Sequence, residues 1–209
     1  ESLTTVEHLK VRSLNNNFVP KKYKSSVVLI KTADQIGAGF MVANDKILTN
    51  WHVVKNKKRI GVRFKAKFYN KISLKMASVA EIVLTDKEKD LALLKLGEKT
   101  PFEPFKISTS EDIDQGYEVS TFGHPYGLNW LYTKGNVSAR ETNFHWEYEN
   151  SKHKAKLVYI TQLPIDKGSS GGPLLDKDGE VIGIVTSFLS QNKNLNVAVS
   201  ADDIREFIK

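Results

Sequence analysis

The sequence predicts an all-β protein, and two observations support that prediction. Short runs rich in Val, Ile, Leu and Phe recur along the 209 residues, and turn-forming residues such as Asn44-Asp45 and Asn56 separate them. The runs form two series, which the segment from Pro101 to Pro104 separates. Because all-β units of about 200 residues are common as one domain, we expect two strand-rich halves of a single domain.

The first series predicts the strands of a first half, residues 25–108, because each run is apolar and short. These strands are Val27 to Lys31, Gly37 to Val42, Lys46 to Asn50, Arg59 to Phe64, Met76 to Leu84 and Leu91 to Leu96. Ahead of them lies an N-terminal segment, residues 1–24. In it Leu3, Val6 and Leu9 hint at a helix that Asn15-Asn16-Asn17 would end.

The second series predicts the strands of a second half, residues 109–209. These strands are Glu118 to Phe122, Leu131 to Ala139, Asn143 to Glu149, Ala155 to Thr161, Pro173 to Leu175, Val181 to Ser187 and Asn196 to Val199. The sequence Asp176-Lys177-Asp178-Gly179 favours a hairpin turn. The sequence Ser200-Ala201-Asp202-Asp203 favours the N-cap of a short C-terminal helix, Ile204 to Ile208.

Composition excludes several classes of protein. The chain contains no Cys, so it has no disulfide framework. No apolar run approaches the roughly 20 residues that span a bilayer.

Because the chain begins with Glu1 rather than Met, we expect a processed or trimmed product whose signal peptide would be out of view.

The stretch Gly168-Ser169-Ser170-Gly171-Gly172-Pro173-Leu174 is the most informative part of the chain. Its glycines open the backbone to conformations closed to other residues and let a substrate carbonyl approach. Consecutive N–H groups in such a turn can stabilise an oxyanion, and we expect Gly168 and Ser170 to be the donors. On turn chemistry alone, an ordinary Gly/Ser turn is an equally good interpretation.

A serine hydroxyl needs a neighbouring base to act as a nucleophile, and the chain offers one histidine in a suggestive context. His52 lies at the end of the buried apolar run Ile47 to Val54. The base in turn needs an acid that orients it. Asp90 opens the apolar run that ends at Leu96, where a half-buried carboxylate could serve that purpose.

Four motifs in the same order resemble those of a known family. They are Gly37-Ala38-Gly39-Phe40, Leu48-Thr49-Asn50-Trp51-His52-Val53-Val54, Asp90-Leu91-Ala92-Leu93-Leu94-Lys95-Leu96 and the serine stretch. With the order His, Asp, Ser, they resemble the chymotrypsin-like serine endopeptidases. Within that group the sequence is most similar to the bacterial HtrA/Deg-type protease domain, over roughly residues 25 to 205.

The resemblance implies a fold and a mechanism. The fold is two six-stranded antiparallel Greek-key barrels, with the active site in the cleft between them. In the mechanism Ser170 attacks a peptide carbonyl, His52 transfers the proton and Asp90 holds His52, while the N–H groups of Gly168 and Ser170 form the oxyanion hole. We expect the rate to rise as the pH passes through roughly 6 to 7.5, where an imidazole becomes neutral.

The resemblance also implies the partners and the location of the protein. Protein or peptide substrates are expected, with no cofactor and no metal. A secreted or periplasmic location in a bacterium is expected as well.

The same resemblance places a substrate pocket for the residue before the cut. Its floor would consist of Leu163, Pro164 and Ile165, and its walls of Thr186, Ser187, Phe188 and Asn196. No acidic residue stands at the floor, and Phe188 and Asn196 replace glycines that keep such pockets open. We therefore expect cleavage after small or medium aliphatic residues such as Val, Ala or Ile.

A basic run without any acidic residue is a second notable feature, and it extends from Lys55 to Lys75. The residues predicted to meet an anionic surface are Lys55, Lys57, Lys58, Arg59, Arg63, Lys65 and Lys67. Phospholipid, acidic polysaccharide or nucleic acid could supply that surface, although no motif for sequence-specific nucleic-acid binding accompanies the run. A solvated lysine-rich face is the alternative, and salt-sensitive retention on heparin would separate the two.

Two other interpretations stay open. The chain could be a latent or catalytically silent relative that serves as a binding module on anionic surfaces, although all three triad residues are present. The aromatic run from Phe144 to Tyr148 could line a substrate loop, or it could pack on the barrel as a twisted hairpin.

Overall fold

Antiparallel strands dominate the fold, as the sequence predicts. A computed structural model describes residues 23–65, 77–125, 128, 130–189 and 192–209. The strands are β1 (Val27–Lys31), β2 (Ile36–Ala43), β3 (Lys46–Thr49), β4 (Ile60–Phe64), β5 (Ala77–Asp86), β6 (Leu91–Leu96), β7 (Glu118–Gly123), β8 (Leu131–Tyr148), β9 (Ser151–Thr161), β10 (Pro173–Leu175), β11 (Val181–Leu189) and β12 (Asn192–Ser200). Two short helices, α1 (Trp51–Val54) and α2 (Ala201–Phe207), complete the described elements.

The strands close into two six-stranded barrels, which confirms the predicted architecture. The first barrel follows the order β1-β2-β3-β6-β5-β4, and β1 pairs with β4 to close it. The second follows β10-β11-β12-β9-β8-β7, and β10 pairs with β7. Closure pairs the edge strands within each barrel, but the outer part of β8 and β9 extends beyond their pairing with β7 and β12, and there the two strands pair only with each other.

Alternation along the strands assigns apolar side chains to three separate clusters. Val28 and Ile30 point into the first barrel, whose interior also contains Ile47 and Leu94. A second cluster fills the other barrel. The neighbouring residues on the opposite strand face, such as Val27 next to Val28, belong to a third cluster that contains residues of both barrels. Because both strand faces are buried, runs such as Val27 to Ile30 are continuously apolar.

Most predicted strands are confirmed to within two or three residues at each end. The main correction concerns β8, where two strands are predicted and one continuous strand of 18 residues is found. Most of its side chains are exposed or half-buried, so its middle lacks the apolar alternation on which the prediction relied. Pairing with β9 instead continues on both sides of Asn143, although the φ of Asn143 is +50° and departs from extended geometry.

The β8–β9 hairpin is therefore longer than predicted. Its two arms run from residue 131 to 148 and from 151 to 161. Glu149 and Asn150 alone form the turn, and both have positive φ angles, of 46° and 59°. Two successive residues in this conformation are typical of the tight turns that match the twist of antiparallel strands.

The C-terminal helix begins earlier than predicted. α2 starts at Ala201, because the hydroxyl of Ser200 accepts a hydrogen bond from the backbone N–H of Asp203 and caps the first turn. The predicted hairpin turn at 176–179 is confirmed, with the N–H of Gly179 bonded to the carbonyl of Asp176 at 3.2 Å. The helix expected between Leu3 and Asn15 lies outside the described residues, and the boundary at residue 108 stays a prediction.

Candidate active site

The side chains of His52 and Asp90 meet in the first barrel. His52 lies on α1, directly after β3, and Asp90 ends the tight turn that joins β5 to β6. Asp90 has a φ of +57°, a conformation that Asp tolerates better than most residues. Its Oδ2 lies 2.7 Å from His52 Nδ1, and its Oδ1 accepts a hydrogen bond of 2.9 Å from the backbone N–H of His52.

This contact selects one tautomer of the His52 ring. A carboxylate is only an acceptor, so Nδ1 must donate its hydrogen to Asp90, and Nε2 of the neutral ring keeps its lone pair. Both side chains are shielded from water, with 2% of His52 and none of Asp90 exposed. The arrangement can therefore hold a base in a fixed orientation.

Thr186 supplies a further contact to the Asp90 carboxylate. Its buried hydroxyl donates a hydrogen bond to Asp90 Oδ2, and it comes from β11 of the second barrel. The sequence predicts Thr186 in a pocket wall. No signal in the sequence indicates its contact with Asp90, because the two residues are 96 positions apart in the chain. The backbone carbonyl of Asp90 also accepts hydrogen bonds from Asn50 Nδ2 and the Trp51 N–H.

The loop that contains Ser170 is tied to the first barrel by its backbone. The carbonyl of Ser170 accepts a hydrogen bond of 2.7 Å from the N–H of Ala38 in β2. Gly171 has a φ of +87°, and a side chain there would collide with the carbonyl oxygen of Ala38. Gly171 is thus required both by its conformation and by this close approach.

The two predicted oxyanion donors lie in the same loop. Gly168 has a φ of +100°, and its carbonyl accepts a hydrogen bond of 3.1 Å from the N–H of His124. No described residue accepts a hydrogen bond from the backbone N–H of Gly168 or Ser170. Neither N–H group takes part in the backbone hydrogen bonds that hold this loop in place.

His52 and Ser170 border a common cavity of about 520 Å³ in the cleft between the barrels. The described residues that line it are Asp34, Gln35, Ile36, His52, His124, Tyr148, Glu149, Lys167, Gly168 and Ser170. They come from the β1–β2 turn and the start of β2, from α1, from the end of β7, from the β8–β9 hairpin and from the serine loop. Folding thus brings His52, Ser170 and Gly168 to one space, and Asp90 lies directly behind His52.

The seven residues predicted to form the substrate pocket come from β11, β12 and the segment between β9 and β10. None of the seven is among the described residues that line the cavity. Leu163, Ser187 and Asn196 are buried, Ile165 and Phe188 are half-buried and Pro164 is exposed. Asn196 Nδ2 donates a hydrogen bond of 2.8 Å to the carbonyl of Leu163, which links the predicted wall to the predicted floor.

His124 is a site residue that the sequence did not single out. It donates from Nε2 to the carbonyl of Val28 at 3.1 Å, and its Nδ1 accepts from the N–H of Trp130 at 3.0 Å. Burial lowers its pKa to about 4, and the hydrogen bond to Val28 offsets only part of that effect. His124 is thus a neutral link between the barrels beside Gly168.

Two of the seven residues predicted to meet an anionic surface pair instead with acidic side chains. Lys55 Nζ lies 3.2 Å from Glu149, and Lys57 Nζ lies 2.5 Å from Asp34. Lys65 lies over the ring of Trp130, and its pKa is lowered to about 8 by burial and by neighbouring Lys24. Lys67 lies outside the described residues, and binding to an anionic surface stays a prediction.

The described part of the chain contains neither a candidate metal site nor a membrane-spanning helix. No group of three or more His, Asp or Glu residues there is placed to hold a metal ion. None of the helices described is long and apolar enough to cross a bilayer.

Comparison with known proteins identifies relatives of the chain. The family described as trypsin-like peptidase domain matches residues 37–184. The chain is 36% identical over 175 residues to serine protease HTRA1 of Xenopus tropicalis, a match that covers 82% of this chain and 35% of HTRA1. It is 32% identical over 182 residues to the magnetosome formation protease MamE of Paramagnetospirillum magneticum, which covers 85% of this chain and 24% of MamE.

A solved structure agrees with the fold. The Rv3671c protease of M. tuberculosis, in its active form, superimposes with a TM-score of 0.79 at 24% identity and covers 94% of this chain and 85% of that one. The chain spans only about a third or less of the length of the two curated relatives.

The lowered pKa of His124 predicts how stability depends on pH. Between pH 6.5 and about 4 the unfolded chain binds a proton at this residue that the folded protein does not bind, so folding stability falls as the pH falls through that window. We expect His124 to account for a loss of about 3 kcal/mol across it. Urea unfolding of the wild type and of His124→Asn at about pH 7 and about pH 4.5 measures this, since Asn does not titrate. An equal loss of stability in both proteins would contradict the assignment.

Proposed function

The chain belongs to the trypsin-like peptidase family, and we propose that it is a serine endopeptidase that hydrolyses peptide bonds by acyl transfer. The observation that supports this most strongly is the contact of 2.7 Å between His52 Nδ1 and Asp90 Oδ2, with His52 and Ser170 on one cavity. Nucleophilic catalysis by serine needs an oriented base that can reach the hydroxyl, and the shared cavity supports that assignment.

In the proposed reaction Ser170 attacks the carbonyl carbon of the peptide bond. Nε2 of His52 accepts the proton of the hydroxyl and then delivers it to the leaving amine, so the amine departs neutral and an ester to Ser170 remains. Water then attacks the ester with the same base and releases the acid. Asp90 stays ionised throughout and stabilises the imidazolium form of His52.

The oxyanion is proposed to bind at the N–H groups of Gly168 and Ser170. Both groups lack an acceptor among the described residues, and the contacts of Ser170 with Ala38 and of Gly168 with His124 hold the loop in place. Donors that are fixed before the reaction need no reorganisation when negative charge develops on the carbonyl oxygen. Removing one such donor typically costs about 100-fold to 1000-fold in rate.

Cleavage after small or medium aliphatic residues is part of the proposal. The seven predicted pocket residues include no charged side chain, and Leu163 and Ile165 pack in the apolar interior of the second barrel. A secreted or periplasmic location stays a prediction of the sequence. The alternative role as a silent binding module has no support among the described contacts.

Labelling with a fluorophosphonate probe tests which residue is the nucleophile. We expect the wild type to be labelled and to degrade casein, and we expect Ser170→Ala to lose both, with a rate loss of at least about 1000-fold. Ser169→Ala is the matched control, because Ser169 is adjacent but only 2% exposed, and it should keep the label. Labelling that persists in Ser170→Ala, or an unreactive wild type, would refute the proposal.

Replacing Thr186 tests the support of Asp90. Thr186→Val keeps the shape of the side chain but removes the hydroxyl that donates to the carboxylate. A hydrogen bond to a charged group contributes about 1.5–3 kcal/mol, so we expect kcat/KM to fall about 10-fold or more. Thr186→Ser, which retains the donor, should stay within about threefold of the wild type. Equal values for the Val and Ser variants would show that the hydroxyl has no effect on the reaction.

A fluorogenic peptide library tests the proposed preference. We expect the largest kcat/KM for Val, Ala or Ile before the cut and values at least about 10-fold lower for Lys, Arg and Glu, because no charged partner is predicted in the pocket. A strict preference for a charged residue would refute the aliphatic assignment and leave the peptidase proposal standing.

A further inference from the structure

The β8–β9 hairpin crosses from the second barrel to the first and docks beside the active site. The backbone N–H of Lys154 donates a hydrogen bond of 2.7 Å to the carbonyl of Glu88. His153 Nδ1 lies 2.9 Å from the carbonyl of Lys87, and the His153 ring packs edge-on to Trp51. The hairpin therefore rests on the turn that contains Asp90 and on the helix that contains His52.

The tip of the hairpin places an aromatic ring on His52. The ring centroids of Tyr148 and His52 lie 4.7 Å apart, with an angle of 61° between the ring planes. This contact helps to explain why His52 is only 2% exposed. Tyr148 itself is half-buried and borders the cavity that contains Ser170.

Glu149, the residue after Tyr148, ties the tip of the hairpin to the first barrel. Its carboxylate accepts hydrogen bonds of 3.1 and 3.3 Å from Gln35 Nε2 and pairs with Lys55 at 3.2 Å. Burial alone would raise the pKa of Glu149, but the contacts with Gln35 and Lys55 outweigh it and the pKa is lowered. The tip is thus bound to two elements of the first barrel, so Tyr148 cannot move freely.

A peptide in the cavity must share space with this ring. A general base works only within hydrogen-bond distance of the nucleophile and the leaving group, so side chains that flank the cleaved bond pass close to His52. Among the described residues, Tyr148 covers the imidazole where such a side chain would pack. Because the two ring centroids are only 4.7 Å apart, a bulky side chain cannot pack on this face of the imidazole without displacing the Tyr148 ring.

We propose that Tyr148 is a specificity-determining residue that admits only small side chains, those of Gly, Ala or Ser, at one position flanking the cleaved bond. The proposal rests on the proposed peptidase function and adds to it a size limit next to His52. This position is separate from the predicted pocket for the residue before the cut, whose seven residues do not line the cavity.

Matched peptides measure the size limit directly. Two series keep an aliphatic residue before the cut and place Gly, Ala, Leu or Phe either two residues before the cut or immediately after it. We expect the wild type to cleave Gly and Ala peptides at least about 10-fold better, by kcat/KM, than Leu and Phe peptides in one of the two series. In that series Tyr148→Ala should reduce the ratio to within about threefold, and Tyr148→Leu should give an intermediate ratio.

Tyr148→Phe is the control, because it keeps the ring and should keep the ratio of the wild type. Each ratio is taken within one variant, so the fraction of correctly folded enzyme cancels. Two results would overturn the inference. One is a ratio of small-residue to large-residue cleavage in Tyr148→Ala that equals the ratio in the wild type. The other is a wild type that shows no size preference in either series. Failure of the wild type to cleave any peptide would instead count against the peptidase function.

Discussion

The candidate active site depends on one buried carboxylate. Asp90 has no exposed surface, and an ionised group in that position is costly unless donors surround it. His52 supplies two donors from the first barrel, and Thr186 supplies one from the second. Because these donors come from both barrels, the packing of the barrels and the orientation of the imidazole are parts of one arrangement. The cleft is where this arrangement meets solvent, and the cavity with Ser170 opens there.

The serine loop is also held by contacts between the two barrels. Ser170 lies in the second barrel, yet its carbonyl bonds to Ala38 of the first, and Gly171 approaches Ala38 too closely for any side chain. His124 adds a link from the second barrel to the carbonyl of Val28. Hydrogen bonds are directional, so those between the two barrels fix the orientation of the loop as well as its distance from the first barrel.

The β8–β9 hairpin is the part of the fold that hydrophobic patterns predicted least well. Its residues are mostly exposed, so alternation gave no continuous strand through Asn143 and no sign that the tip reaches the first barrel. The aromatic run ending at Tyr148 left two interpretations open, and the structure has features of both. Trp146 stacks on His153 within the hairpin, whereas Tyr148 lies on His52 and borders the cavity.

The sequence by itself determined the strand content, the two series of strands and the identity of His52, Asp90 and Ser170 as candidates, because apolar periodicity and Gly-rich turns are local properties. Only the tertiary structure decided that Thr186 contacts Asp90, that His124 joins the barrels and that Tyr148 covers His52. Each of the three contacts joins residues 96 positions apart in the chain, and each joins the two barrels. No local pattern encodes such pairs, because they exist only once closure and packing of both barrels set the distances between them.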